Sequence, residues 1–218
     1  MRKEELGMLF GYQRPDNVPG EYFDELGTPI AYGQRWDGHP ADDSYSVTAH
    51  PQRFAPVQQV ARALLSWMQE QFEVRCFDDP GLAAELRIPP DTVVSSVRIL
   101  PVNSRCAPLG MILTTFPGVH LELGALYHAV FPTCGCDACD EHVPEMIEEL
   151  EAQVGAAVSG TFGESLDIGA GRLVHRFVAK ETGFSEQSGG LDDISPAQLA
   201  KAQAILPPNG AWEAWPRR

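Results

Sequence analysis

Apolar residues recur at helical spacing over residues 55–72, where Val57, Val60, Ala61, Leu64, Leu65, Met68 and Phe72 fall on one face. That periodicity predicts an amphipathic helix. Strand-like stretches follow it: a short one over residues 72–77, one rich in β-branched side chains over residues 92–100, and a similar one over residues 109–116. Across residues 119–131 the odd positions Val119, Leu121, Leu123, Ala125, Tyr127, Ala129 and Phe131 are all apolar, while His120, Glu122 and His128 lie between them. This is the alternation of a strand with one wet face. Pro117 and Gly118 supply a tight connection just before it, which favours antiparallel pairing. A second helix is expected over residues 142–158, with Val143, Met146, Ile147, Leu150, Val154, Ala157 and Val158 as its face. Pro144 fits only a first turn, and Glu141, Glu145, Glu148 and Glu149 crowd the end where the helix dipole favours negative charge. Beyond a turn at residues 169–171 a strand is expected at 173–178. Ser195 and Pro196 then form an N-cap and first turn for a third helix, which Pro207 and Pro208 end. The order predicts an α+β fold: a single domain with an antiparallel sheet of about five strands and about three helices packed on one face of it.

Residues 1–53 have no such period, because Pro15, Pro19, Pro29, Pro40 and Pro51 and several glycines interrupt every run. Phe10, Tyr12, Tyr22, Phe23, Tyr32, Trp36 and Tyr45 are nevertheless too many aromatics for a solvated linker. An irregular, aromatic-rich arm over residues 1–53, packed on an α+β domain of residues 54–218, is therefore expected. Trp212 and Trp215 are expected to fold back onto the body.

Composition narrows the function classes more than it names one. The chain has 218 residues, 44% of them hydrophobic, and a formal net charge of −14. It can build a core, and its acidity argues against nucleic acid or an anionic membrane as partner. The most apolar stretch, residues 111–132, is broken by His120, Glu122 and His128, so no membrane span is expected. The first ten residues hold no apolar run of signal-peptide length, which predicts a cytoplasmic protein. Five cysteines make an odd set, read as thiols, metal ligands or redox groups rather than structural disulfides. There is no G-x-S-x-G, no H-E-x-x-H and no phosphate-binding Gly-Lys-Ser/Thr, and Gly169-Ala-Gly171 lacks the third glycine of a dinucleotide loop. Nothing supports a hydrolase, kinase or dehydrogenase.

The most specific chemistry lies at residues 131–141, FPTCGCDACDE, where Cys134, Cys136 and Cys139 are spaced C-x-C-x-x-C. Thiols so spaced can turn onto one small volume, and soft thiolates suit zinc at about 2.3 Å in a tetrahedron. Between Cys106 and Gly171 there are ten acids and no Lys or Arg, a local negative field that a bound cation would partly offset. Three thiols leave one tetrahedral corner open. His142, His128, Cys106, Cys76 or an adjacent Asp is a candidate for it. The resulting expectation is a non-enzymatic module with a structural zinc and a protein partner. The alternatives are a thiol–disulfide protein using Cys136 and Cys139 ahead of a helix, and an interaction domain whose reduced cysteines are small hydrophobes.

The cysteine string resembles one in an uncharacterised actinobacterial family, a domain of unknown function. The same resemblance extends to YGQRWDG at 32–38, YSVTAHPQRFAP at 45–56, FPGV at 116–119 and WPRR at 215–218. It runs from about residue 31 to the C-terminus. It implies no activity, and it implies that the thiol string and residues 50–56 are shared family features. Within these segments Arg35, Trp36 and Asp37 are candidates for a recognition arm, the ordinary alternative being Trp36 anchored in the core with the charges at the surface. His50 and Arg53 are candidates for a general base or an anion clamp, the ordinary alternative being a solvated turn. His142 and Glu145 form an i, i+3 pair able to ligate a metal or simply to lie on a helix surface.

Overall fold

The computed structural model describes residues 9–16, 20–179, 183–192 and 194–218. The predicted first helix is α1, Ala55–Gln71, which buries Val57, Val60, Ala61, Leu64, Leu65, Trp67 and Met68. Five antiparallel strands follow the order of the chain: β1 Val74–Asp78, β2 Val93–Pro101, β3 Leu109–Thr114, β4 Val119–Leu123 and β5 Tyr127–Phe131. After β5 comes α3, Val143–Ser159, closed by Gly160 in the left-handed conformation. Helices α1 and α3 pack together on the sheet face that carries Ile99, Met111, Leu121 and Tyr127, and the main core lies between these layers.

Residues 119–131 form not one strand but a hairpin, with Val119 opposite Phe131 and Leu123 opposite Tyr127. The three residues Gly124, Ala125 and Leu126 turn the chain. An odd-length turn keeps the same parity on the same face, so the alternation runs unbroken through the reversal and hides it. The expected placement of helices on one face also needs correction. A short helix α2, Pro80–Glu85, covers the other face, with Leu82 and Ala83 against Ile112. It arises in the Pro/Gly-containing connection after β1, where Asp79 caps Gly81 N–H at 3.1 Å and Pro80 takes the first turn.

A second antiparallel sheet was not expected as such: β6 Phe162–Asp167, β7 Arg172–Ala179 and β8 Gly183–Gly190. Only β7 shows a strand-like apolar pattern. In β8 the polar and glycine residues 185–190 are exposed, and in β6 the inward position after Phe162 holds Glu164. The helix predicted after Ser195 is α4, Pro196–Ile205, closed by a capping box between Ser195 and Gln198. The C-terminal tail lies across the core with Trp212 and Trp215 buried, and Trp215 Nε1 donates to Ala107 O at 3.0 Å. In the arm, Leu9 and Tyr12 are buried, and Arg14 makes a two-pronged ion pair with Glu151 of α3. Among the described residues no helix is long and apolar enough to cross a membrane.

Glu164 holds the hairpin to the second sheet. Its carboxylate accepts Ala125 N–H and Leu126 N–H, both at 2.7 Å, and His175 Nε2 lies 3.2 Å away. Removing it leaves two half-buried turn donors without that acceptor. Glu164→Ala should lower the unfolding free energy in urea by about 2–4 kcal/mol, whereas the exposed Glu70→Ala should change it by less than about 0.5 kcal/mol.

Candidate metal centre

The thiol string occupies the loop between β5 and α3. Gly135 adopts φ +80°, and a Cβ there would lie 2.8 Å from the Phe116 ring, so conformation and space both demand glycine. Asp140 also takes a positive φ, +47°, which Asp tolerates better than most residues. The Glu141 side chain turns back under the loop, where its carboxylate accepts Thr133 N–H at 2.7 Å, Cys134 N–H at 3.0 Å and Gly135 N–H at 2.7 Å. Three backbone donors on one carboxylate fix the curvature that brings the first two thiols together.

The other half of the loop is tied to the arm. Asp137, between Cys136 and Cys139, is only 2% exposed. Its Oδ1 accepts from Arg53 Nη1 at 2.9 Å; Oδ2 accepts Ala49 N–H at 3.2 Å and lies 3.4 Å from Arg35 Nη1. Backbone bonds join the same partners: Asp137 N–H to Val47 O at 2.7 Å and Ala138 N–H to Ser44 O at 3.1 Å. Trp36 Nε1 donates to Asp137 O at 3.0 Å, and Thr48 Oγ1 to Gly135 O at 3.1 Å.

Held this way, the Cys134, Cys136 and Cys139 sulfurs all lie within 4.8 Å of one another, the first two 3.3 Å apart. A tetrahedron with ligands at about 2.3 Å has edges of about 3.8 Å. The three sulfurs therefore need only small shifts to hold one soft cation. Cys136 is buried, and Cys134 and Cys139 are exposed. The Cys139 N–H and the Cys134 thiol donate to the Cys136 sulfur and pull its pKa down to about 7. Cys139 is pushed up to about 12, chiefly because its proton is shared with the Cys136 sulfur. The group thus ionises in unequal steps.

No fourth ligand joins the three among the described residues. The His142 ring packs on Gly33, with Nδ1 3.3 Å from Glu145 Oε1. His128 lies on β5 with Nε2 3.1 Å from His120 Nδ1, and burial beside that ring pushes its pKa down to about 4. Cys106 is buried and donates to Ala214 O at 3.2 Å, and Cys76 lies in β1. Asp137 and Asp140 are engaged by arm residues, Asp140 Oδ2 accepting Arg35 N–H at 2.8 Å.

The residues that organise the loop, Glu141, Asp137 and Arg53, were legible only as neighbouring charges. Arg53 is not the solvated turn residue that its position also allowed: it is 3% exposed and clamps a carboxylate of its own chain. Trp36 anchors the arm, while Arg35 pairs with Asp137 and stacks 4.7 Å from the Trp36 ring. His50 Nδ1 lies 2.8 Å from the Tyr32 hydroxyl.

Over residues 18–218 the chain matches the model of a family of unknown function, DUF6226, and it belongs to that family. No curated protein and no solved structure matches it.

Two outcomes follow from the loop. Asp137→Ala strands a buried guanidinium and should cost about 3–5 kcal/mol of stability in chemical denaturation. In metal-free protein, thiolate absorbance should rise with a step near pH 7 that Cys136→Ser removes, while a further thiol resists ionisation until close to pH 12. A single step at the ordinary thiol value would contradict the shared-proton arrangement.

Proposed function

We propose that this member of the family is a non-enzymatic, cytoplasmic module in which Cys134, Cys136 and Cys139 bind zinc, and that it works by contact with another protein. The observation that carries the metal reading is the convergence of the three sulfurs within 4.8 Å. Two independent anchors, the Glu141 carboxylate under the loop and the Asp137–Arg53 pair beside it, support that convergence without using any thiol. Metal bound there would join the end of β5 to the start of α3. The lack of a fourth donor among the described residues and the exposure of Cys134 and Cys139 support the partner reading, since they leave a corner for a donor from outside the chain.

A thiol–disulfide role is the second reading. It is supported by the 3.3 Å contact between Cys134 and Cys136 and the low pKa of Cys136. On this geometry the favoured pair is Cys134 and Cys136 as much as Cys136 and Cys139.

Elemental analysis of protein purified without chelators should find about one zinc per chain, abolished by Cys136→Ser; less than about a tenth of a metal ion per chain sinks the zinc reading. Cobalt-loaded protein should show thiolate-to-metal charge transfer, and added imidazole should shift its visible bands by taking the open corner. A metal-free protein that forms a disulfide reversibly at cytosolic potentials would favour the redox reading instead.

A further inference from the structure

Beside the thiol loop lies a cavity of about 350 Å³, bounded by Tyr22 and Tyr32 of the arm, Arg53 just before α1 and Pro56 in its first turn, His142 just before α3 and Ile147 within it. Its walls are mostly apolar and aromatic, and it is of the size that takes small organic molecules. We infer that this cavity binds a small organic carboxylate with an apolar body, and that Arg53 is the residue that grips the carboxylate.

Arg53 leaves part of its hydrogen-bonding capacity unused. Its guanidinium lies 3.8 Å from the Tyr32 ring centroid and 4.5 Å from that of Phe54. Ring contacts of this kind engage the π face of the cation and leave its N–H bonds pointing outward in the plane. Nη1 is taken by Asp137 Oδ1. Nε and Nη2 are buried and have no acceptor in hydrogen-bond geometry among the described residues.

Those two nitrogens form a single edge of the guanidinium. Elsewhere in the same protein, Arg14 uses the same edge to hold both oxygens of Glu151, with Nε donating to Oε1 at 2.9 Å and Nη2 to Oε2. Arg53 therefore offers an empty fork of the geometry that fits a carboxylate. Leaving two charged donors unsatisfied in the interior is costly. Among the described residues no acceptor meets them in hydrogen-bond geometry, and the cavity that the side chain borders is where a group that relieves them would come from. Tyr22 and Tyr32, packed edge-on at 5.7 Å, form the aromatic wall on the arm side of the cavity. The apolar body of an occupant would lie against Pro56 and Ile147. A neutral amide of the same shape can satisfy one donor but not both, and it meets the other with its own N–H.

The site does not depend on a bound metal, though it shares a residue with the thiol loop: the guanidinium that would grip the ligand also pairs with Asp137, between Cys136 and Cys139.

The test is calorimetric titration of the full chain with two acids, phenylacetate and hexanoate, each paired with its amide, followed by a crystal structure with the tighter acid. Each acid should saturate and bind at least about tenfold tighter than its amide. Arg53→Lys, which keeps a charge but loses the fork, should erase that preference. Because Arg53 is also a buried structural partner, Ala31→Trp provides the second variant: Ala31 is an exposed residue lining the cavity, and this change should abolish binding with the circular dichroism spectrum unchanged. Acid and amide binding equally, no saturation by either acid at about 10 mM, or an ordered water on the Nε–Nη2 edge with the acid bound elsewhere would each overturn the assignment.

Discussion

A buried carboxylate must find a cation or give up its charge, and in this protein the arrangement of the thiol loop depends on how Asp137 does so. Its partner Arg53 comes from the 3-10 turn Pro51–Phe54 immediately before α1, so the seating of α1 on the sheet delivers the cation to the loop. The same carboxylate accepts Ala49 N–H, and the backbone on either side of it is bonded to Ser44, Val47 and Trp36. Since Asp137 stands between Cys136 and Cys139, drawing it inward fixes where the chain re-emerges and hence where both sulfurs sit. Glu141 does the corresponding work for Cys134 and Gly135 through backbone donors alone. The loop is thereby shaped by two carboxylates, neither of which is left to compete with the thiols for a cation.

That changes the meaning of the acidic stretch between Cys106 and Gly171. As a string of residues it has no basic member, and a bound metal looked like the natural counter-charge. In three dimensions the counter-charges come from outside the stretch: Arg53 and Arg35 reach Asp137, Arg14 reaches Glu151, and Arg98 lies 4.0 Å from Glu122. Three of the ten acids, the buried Asp137 and Glu151 among them, thus find their counter-charge within the protein and make no demand on a metal. The cation demand of Asp137 is met within the protein, and what remains for a metal is the cluster of three soft sulfur donors.

The arm follows the same logic. A segment without regular periodicity holds its place through side chains that reach specific partners: Trp36 to the Asp137 carbonyl, the Arg14 fork to Glu151, and the Tyr32 ring to the Arg53 guanidinium. These contacts close one side of the cavity against α1 and α3, so the arm contributes both to the thiol loop and to the neighbouring pocket.

Periodicity and punctuation in the sequence were enough to determine α1 and α3, whose apolar faces are buried behind a first-turn proline, α4, whose Ser195 cap and Pro196 mark its start, and β2 and β3, whose β-branched and apolar runs suit strands. The C-x-C-x-x-C spacing likewise determined that three thiols would be neighbours, since six residues of chain cannot carry them far apart. The rest needed the tertiary structure, for identifiable reasons. Parity survives a three-residue turn, so the hairpin at Gly124 was invisible in an alternating pattern. In β6 an inward Glu164 breaks the apolar pattern, and it is tolerated because the hairpin turn, 38 and 39 residues away in the chain, supplies its donors. The exposed, glycine-containing β8 has little pattern to read. No local signal could show that Arg53 would be buried against Asp137, 84 residues further along the chain, or that one edge of its guanidinium would be left without an acceptor. Spacing along the chain decides which groups can be close, whereas the direction a side chain points, and the partner it finds or lacks, is settled only when distant segments pack.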